Sequence, residues 1–519
     1  MPRLLGLSVV LWSFVFAMMC LTSGTKPIAG DSALMCAAAE SLRTRGDFAV
    51  EPTRRDVTPG PDGRHYTKYP LLTVLQCLPA MAVRERVLAA APGDTALELL
   101  APQLVPHAVA ATLALGAMHV GLALGLNAAA SVILALLLTF TTPIWLGARS
   151  LYSETLQATL TIWFLYLALR ARDSKRLGAW AALGVVIGLG INAKITFVIL
   201  PVAVAIDQLY ERWDRARFIA AACAVPGMLL GAAAWLWYNQ VRFGDVLNQG
   251  YTTTNDGDLG FSVPLASGVY GLLFSSGKSV FQYAPVLVAS VWAVPYFWRE
   301  RRRDLWLIAI PSLFTLGVIA KWWAWSGDWG WGPRLLLPVV PLACVLVVRW
   351  LAAPTRTSMF WVGSLAAFGL YVQVLGLSVD PSEYLHMVRV PSKVALGKHA
   401  DAPEVRDVLL IAHFIPEFNP IVSQHWLFMR HFYPTKVELD SWTPWQTLGV
   451  RSWRPKYIPT PERLNYWIAG ESSRRANVLA TLFFLASVAL AGTLVWLLRR
   501  VARAERLRAR TAQALEPSS

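Results

Sequence analysis

The chain has 519 residues, a formal net charge of +15, 55% hydrophobic residues and only 15% charged residues. Soluble globular domains carry about 25% charged residues, so this composition excludes an ordinary soluble protein. The mean hydropathy is +0.45, and the apolar residues form long blocks, which indicates a membrane protein. The positive charge lies between those blocks, and no nucleic-acid or nucleotide-binding motif stands out, so nucleic acid is not an expected partner.

A membrane-spanning helix needs roughly 17–25 mostly apolar residues, and this rule predicts about twelve spans. The fold class is therefore an all-α polytopic membrane protein. The first span has the basic start and apolar run of a signal peptide, but no clear cleavage site follows it, so retention is favoured over cleavage. The predicted spans cover residues 4–21, 104–124, 128–146, 155–169, 177–191, 195–209, 218–237, 280–297, 305–322, 335–348, 359–377 and 478–498.

The orientation in the membrane follows from the basic residues, which cluster at every second connection. The short connections on the opposite side carry few of them, with Arg149 in one and Lys194 in the next. Because cytoplasmic loops are enriched in Lys and Arg, the sequence predicts a multi-pass protein of the bacterial inner (plasma) membrane with both termini cytoplasmic. The clusters are Arg170, Arg172, Lys175 and Arg176, then Arg212, Arg215 and Arg217, then Arg299 and Arg301 to Arg303, and finally Arg499 onwards.

Three long segments then lie outside the membrane. The chain divides into a transmembrane region with two external loops, a large external segment, and a final span with a basic cytoplasmic tail. These parts are residues 1–377 with loops 22–103 and 239–279, residues 378–477, and residues 478–519.

The first external loop contains an apolar stretch, residues 69–81, that is too short to span the membrane. Such a stretch predicts an interfacial helix. Cys36 and Cys77 lie in the same loop. A disulfide in an oxidising periplasm and two free thiols are both compatible with this placement.

Ionisable residues at the outer membrane surface are the candidates for chemistry. Asp31 follows the first span, Lys68 lies in a Tyr-rich segment, and Glu154 begins the fourth span. A carboxylate near an apolar boundary is expected to have a raised pKa and to act as a general base, and a cation at that depth can hold a phosphate. The simpler alternatives are a helix cap or solvated loop residue for Asp31, an interfacial anchor for Lys68, and a dipole-stabilised helix start for Glu154.

A Trp-rich stretch, residues 321–334, precedes the tenth span. Trp rings stack on sugars, so Trp325 and Trp331 are candidate substrate contacts. An aromatic belt at the membrane interface explains the same residues, and Lys194 and Lys278 are equally explained as lysines that snorkel to the headgroups.

Taken in order, five segments resemble the GT-C glycosyltransferases. The most similar groups are the bacterial dolichyl-phosphate-mannose-type (protein O-mannosyltransferase-like) and aminoarabinose-transferase-like enzymes. The resemblance implies a GT-C-type helix bundle that transfers a sugar from a polyprenyl-phosphate donor to a glycolipid, polysaccharide or protein acceptor. The segments are Gly30-Asp31-Ser32, Tyr66-Thr67-Lys68-Tyr69-Pro70, Tyr152-Ser153-Glu154, residues 270–278, and Trp331-Gly332-Pro333-Arg334.

The resemblance also implies roles for single residues. Asp31 resembles the acidic residue that acts as the base or orients the acceptor in these enzymes, and Glu154 resembles the second acidic residue of their active site. Many relatives carry a paired acidic motif where Asp31 is followed here by Ser32. No cofactor is therefore certain, and a divalent metal ion stays open. The implied donor-phosphate contacts are Lys68, Arg334 and Lys278, and the expected substrate contacts are Tyr66, Tyr69, Trp325 and Trp331.

Two other functions fit a chain of this kind. A twelve-span secondary transporter would place ionisable residues near the middle of the bilayer, whereas these spans are almost free of charge and the polar groups lie in external loops. That contrast favours an enzyme. A non-catalytic envelope-assembly protein is left open by the single Asp in the first loop.

Overall fold

The computed structural model describes residues 2–25, 30–52, 57–172, 176–251, 259–327, 330–380, 384, 388, 413–432, 464–466 and 473–515. The described chain is almost entirely helical, and the predicted all-α fold class is confirmed. Six of the described helices are long and apolar enough to cross a membrane, and five further apolar helices are shorter. Most of the predicted external segment 378–477 lies outside the described residues.

Each predicted span coincides with one helix or with consecutive shorter helices. Breaks within a span occur near proline, as at Pro143 after α7, because proline lacks the N–H that continues a helix. The helices that cover the spans are α1 (Pro2–Leu21), α6 (Leu104–Ala123), α7 (Ala128–Phe140), α8 (Ile144–Gly147), α9 (Ser153–Arg172), α10 (Leu177–Ala193), α11 (Ile199–Gln208), α12 (Arg215–Ala222), α13 (Val225–Phe243), α15 (Val280–Tyr283), α16 (Val286–Glu300), α17 (Arg302–Lys321), α18 (Val340–Val345), α19 (Val348–Ala352), α20 (Arg356–Ser378) and α22 (Arg474–Leu515).

The external loops add smaller elements. The interfacial helix predicted for residues 69–81 is present as α3 and α4, separated at Gln76. The strands β1 and β2 form an antiparallel hairpin in which Thr58 faces Tyr66. These elements are α2 (Asp31–Arg45), β1 (Val57–Pro59), β2 (His65–Thr67), α3 (Leu71–Leu75), α4 (Cys77–Ala90), α5 (Thr95–Leu100), α14 (Leu265–Phe274) and α21 (Pro420–Phe432), with 3-10 turns at Ala101–Gln103, Ile195–Val198, Arg334–Leu336 and Pro416–Phe418.

Close packing of small residues joins α10 to α13. A Cβ at Gly184 would collide with the carbonyl of Ala224, and one at Gly188 would collide with that of Gly227. The side-chain amide of Asn192 donates across the interface to the Gly231 carbonyl at 2.7 Å. Small residues let helix backbones approach in this way within membranes. The end of α10, and with it Lys194, is thereby held against α13.

Buried ion pairs hold the helices together at the end of the bundle where the basic connections meet. Arg172 of α9 lies 2.7 Å from Asp207 of α11 and also contacts Asp304 of α17. Arg303 approaches the same Asp207 carboxylate at 2.8 Å. We call these four residues the inner charge cluster. The basic clusters after spans four, six and eight therefore share one end of the bundle, as the charge pattern predicts.

The first predicted external loop lies at the opposite end of the bundle. Residues of its helices α2, α3 and α4 pack together there and form a small apolar core. The buried Arg242 of α13 stacks on the Tyr238 ring at 3.6 Å and donates to the carbonyls of Thr67 and Tyr69, the latter at 3.3 Å. It thereby fixes the backbone on either side of Lys68.

The two cysteines of this loop meet within the same small core. Cys36 of α2 and Cys77 of α4 are both free thiols, and their Sγ atoms lie 2.9 Å apart. The two sulfur atoms are close enough for a disulfide to form, so both alternatives left open by the sequence remain.

Candidate functional site

Three residues that are distant in the sequence meet at the end of the bundle opposite the inner charge cluster. Arg334 Nη2 lies 3.0 Å from Asp31 Oδ2, and Arg334 Nη1 lies 3.5 Å from Glu154 Oε1. The guanidinium also faces the Tyr152 ring at 4.8 Å. We call Asp31, Glu154 and Arg334 the charged cluster. Because Asp31 begins α2 and Glu154 lies in the first turn of α9, both carboxylates are also favoured by the dipoles of their helices.

The environment of Asp31 sets its protonation state. Burial, the largest single influence, raises the pKa of this carboxyl. The charge of Arg334, hydrogen bonds from Tyr69 and Arg334 and the charge of Lys68 together outweigh burial, so the pKa of Asp31 lies below its ordinary value. The raised pKa expected from the sequence is therefore wrong. Asp31 is a carboxylate at neutral pH, able to accept a proton but a weaker base than expected.

The loop that carries Arg334, of which residues 327 and 330–334 are described, is closely fitted around the arginine. Arg334 Nε donates to the Gly327 carbonyl at 3.0 Å. Gly327 has a positive φ of 66°, and a Cβ there or at Gly330 would lie 2.7 Å from the Arg334 side chain. Glycine is thus required on both sides of the arginine stem.

Lys278 forms hydrogen bonds with the backbone of this loop. Its Nζ atom donates to the carbonyls of Gly330 at 2.6 Å and Gly332 at 3.2 Å. The side chain is only 2% exposed. Among the described residues, Lys278 therefore lies beside the loop and not in the cavity next to the charged cluster, where a donor-phosphate contact would be needed.

A cavity of about 510 Å³ opens beside the charged cluster. Its lining is polar in part and apolar in part, a composition that suits a molecule with a polar head and an apolar tail. The polar part of the wall contains Glu154, Gln157, Lys194, Asp245, Asn248 and Gln249, and the apolar part contains Ile195, Phe261, Val318, Ile319, Trp322 and Leu335.

The cavity and the charged cluster are directly connected. Glu154 belongs to both, and the lining residues Pro70 and Leu335 are the chain neighbours of Tyr69 and Arg334. Lys68 Nζ lies 5.7 Å from the centre of the Tyr251 ring, which also lines the cavity. Lys68 and Tyr69 thus lie where the cavity approaches Asp31.

Three of the predicted substrate contacts are buried elsewhere. The Tyr66 hydroxyl donates to Asp62 at 2.6 Å within the small external core. Trp325 packs on Phe414, and Trp331 packs edge-on against Tyr283. The structure does not bring Tyr66, Trp325 or Trp331 to the cavity, because each ring is buried in packing away from it.

Several residues of the cavity were not predicted as site residues from the sequence. Lys194 was interpreted as a snorkelling lysine, but it lies in the polar wall. Asp245, Asn248 and Gln249 follow directly after the end of α13 at Phe243. In the sequence, the run of polar residues immediately after a predicted span could have identified these residues as candidates for the site. Among the described residues of the Trp-rich stretch, Trp322 lines the cavity, whereas Trp325 and Trp331 do not.

The fold and the charged cluster define a polytopic membrane protein with a polar site at one end of its helix bundle. The model of the dolichyl-phosphate-mannose-protein mannosyltransferase family matches residues 100–238 of the chain. The matched segment contains Glu154 and Lys194 of the cavity wall. This similarity confirms the resemblance, and with it the enzyme class, the glycosyltransferases, that the sequence predicts.

Solved structures are similar to the chain at low sequence identity. ArnT from Cupriavidus metallidurans, bound to undecaprenyl phosphate, is 14% identical over 99% of this chain and 80% of its own, with a TM-score of 0.44. The Archaeoglobus fulgidus oligosaccharyltransferase tethered with an acceptor peptide is 12% identical over 89% of this chain and 60% of its own, with a TM-score of 0.43.

The archaeal oligosaccharyltransferase AglB from Archaeoglobus fulgidus, in complex with an inhibitory peptide and a dolichol-phosphate, is also similar. It is 12% identical over 88% of this chain and 60% of its own, with a TM-score of 0.39. The chain thus spans about 60% of the length of both archaeal proteins. A comparison with curated proteins gave no significant match.

Proposed function

We propose that the protein is a membrane glycosyltransferase that moves a sugar from a polyprenyl-phosphate donor to an acceptor hydroxyl. The observation that carries the proposal is the junction of the charged cluster with a cavity that is lined by both polar and apolar side chains. The matched family supports the same class of reaction. The acceptor class is a glycolipid, a polysaccharide or a protein.

The cavity walls suit the two parts of such a donor. The apolar wall, with Ile195, Val318 and Leu335, would receive the first part of the prenyl chain. Lys194 in the polar wall and Lys68 at its edge would contact the phosphate, because an ammonium group is a compact partner for a phosphate charge. As the phosphate leaves, the charge that grows on its oxygen would be stabilised by these cations.

Asp31 would act on the acceptor. Its side chain is 35% exposed, whereas that of Glu154 is 9% exposed, so an acceptor can reach Asp31 more readily. The acceptor oxygen attacks the anomeric carbon, the bond from that carbon to the phosphate oxygen breaks, and polyprenyl phosphate leaves. Asp31 takes the proton of the acceptor hydroxyl. A single displacement through an oxocarbenium-like transition state inverts the anomeric configuration.

The proposed side of the membrane is the periplasmic one. The charged cluster lies at the opposite end of the bundle from the inner charge cluster and the basic connections. By the positive-inside rule, the basic end belongs in the cytoplasm together with both termini. Nucleotide sugars are not available outside the inner membrane, which is why a lipid-carried donor fits this site.

The decisive experiment is a gene deletion followed by mass spectrometry of envelope glycans and polyprenyl-phosphate sugars. The deletion strain is complemented with wild type, with Asp31→Asn, and with Glu40→Gln as a matched control. Glu40 lies on the same helix α2 and forms an exposed ion pair with Arg43. We expect one glycan to lose a sugar while its lipid-linked donor persists, with rescue by wild type and Glu40→Gln only.

Two results would contradict the proposal. Rescue by Asp31→Asn at equal expression would remove Asp31 as the base. An unchanged set of glycans and lipid-linked sugars in the deletion strain would remove the transferase function itself and make transport the function to test.

A further inference from the structure

We infer that Arg334 takes the place of a divalent metal ion in the charged cluster, so that the site works without one. This inference concerns the site of the proposed function, but its test does not depend on sugar transfer. Two carboxylates from separate helices, such as Asp31 and Glu154, are a common basis for a Mg²⁺ or Mn²⁺ site that is completed by water and substrate phosphate. The question is whether the space between them is available.

The guanidinium group occupies that space. One terminal nitrogen of Arg334 faces Asp31 at 3.0 Å and the other faces Glu154 at 3.5 Å. A planar guanidinium with two outward-facing amino groups is suited to bridge two carboxylates in this manner. A metal ion bound to both carboxylates would lie within a few ångströms of a permanent positive charge and would be repelled by it.

Arg334 is also held too firmly to move aside. Its Nε atom donates to the Gly327 carbonyl at 3.0 Å, and its guanidinium lies over the Tyr152 ring at 4.8 Å. Lys278 fixes the two carbonyls of Gly330 and Gly332 in the same loop. The side chain is only 16% exposed.

The charges of the cluster are already balanced. Two carboxylates, Asp31 and Glu154, meet two cations, Arg334 within the cluster and Lys68, whose charge acts on Asp31. Within the part of the chain that the structure describes, no group of three His, Cys, Asp or Glu side chains could hold a metal ion. A divalent ion would therefore add two positive charges to a neutral site that offers it only two oxygen-bearing groups.

Mn²⁺ binding to the purified full-length protein in detergent tests the inference. The loss of the free Mn²⁺ electron paramagnetic resonance signal measures binding directly. We expect wild type to bind no Mn²⁺ at one-to-one stoichiometry below about 1 mM. Arg334→Met removes the guanidinium and leaves both carboxylates, so we expect it to bind Mn²⁺ at least tenfold more tightly than wild type. The additional substitution Asp31→Asn should abolish that gain.

Arg64→Met is the matched control. Arg64 also approaches two carboxylates, Asp47 at 2.9 Å and Asp62 at 3.8 Å, but its side chain is 58% exposed. We expect no gain of Mn²⁺ binding there, because Arg64 and Asp62 are exposed at 58% and 43%, so that water already screens the guanidinium charge and its removal changes the field at the carboxylates little. A comparable gain in Arg64→Met would show that the gain is not specific to the charged cluster and would overturn the assignment.

Wild type alone keeps the inference falsifiable if Arg334→Met does not fold. One Mn²⁺ bound by wild type and lost in Asp31→Asn would overturn it. A folded Arg334→Met protein with no gain in binding would overturn it as well. A failure of sugar transfer in the glycan experiment would leave these binding results unaffected, so the two proposals fail separately.

Discussion

Replacing Lys278 with Met tests whether this ammonium holds the Arg334 loop or binds the donor. The Nζ atom donates to the Gly330 carbonyl at 2.6 Å and the Gly332 carbonyl at 3.2 Å. A hydrogen bond from a charged group contributes about 1.5–3 kcal/mol. Because the buried ammonium also loses hydration, two such bonds lead us to expect a net decrease of roughly 2–4 kcal/mol in the free energy of unfolding.

The same substitution should lower the rate of transfer. Without Lys278 the loop no longer fixes Arg334 between Asp31 and Glu154, and a misplacement of about 1 Å can cost roughly 100-fold in rate. We expect kcat to fall about 10- to 100-fold and the KM for the donor to change by less than about threefold, since the ammonium lies outside the cavity.

Thermal unfolding in detergent and transfer from a polyprenyl-phosphate sugar are the two assays. Lys321→Met is the matched control, because Lys321 is an exposed lysine at the end of α17. An unfolding temperature equal to that of wild type, together with a raised donor KM, would refute the loop-holding role and support the donor contact predicted from the sequence.

Three further predictions concern other parts of the site. Arg242→Met should lower the unfolding temperature and reduce the rate of sugar transfer at least about tenfold, because Arg242 holds the backbone on both sides of Lys68. An unchanged rate would show that Lys68 needs no such support. Lys194→Met should raise the donor KM about tenfold with little change in kcat, with Lys321→Met as the control. A fall in kcat of about tenfold would contradict a role in donor binding alone. Wild-type kcat/KM should fall only at a pH below the ordinary pKa range of an Asp, because the pKa of Asp31 is lowered. In Arg334→Met the fall should begin at higher pH, because the effect of burial on that pKa is then opposed by fewer charges and hydrogen bonds. A pH profile that is the same in both proteins would refute this coupling.

Much of the fold could be predicted from the sequence, because length and apolarity alone identify a membrane span. The spans at residues 4–21 and 104–124 match α1 and α6 to within two residues at each end. The internal breaks, such as the division of the seventh span between α12 and α13, were not predicted. Length and apolarity are the same on both sides of such a break, whereas Pro226 at the start of α13 is the sequence feature that accompanies it.

The site could be predicted only in part. Asp31 and Glu154 were identified as ionisable residues at the predicted outer surface, and Arg334 through the family resemblance. Their contact joins segments that lie 303 positions apart in the case of Asp31 and Arg334. Tertiary packing alone creates that contact. Lys278 was placed with the phosphate contacts because its actual partners are backbone carbonyls, which leave no trace in the side-chain pattern.

The inner charge cluster has a mechanical consequence for the cavity at the other end. It joins α9, α11 and α17 through Arg172, Asp207 and Asp304, while the far ends of α9 and α17 and the turn before α11 line the cavity. A helix that is fixed at one end moves most at its other end. A tilt of about 5° over a helix of about 30 Å moves its free end by roughly 2.5 Å. If the cavity takes the lipid tail of the proposed donor, we therefore expect it to widen by tilting of these free ends while the inner charge cluster keeps the three helices in register.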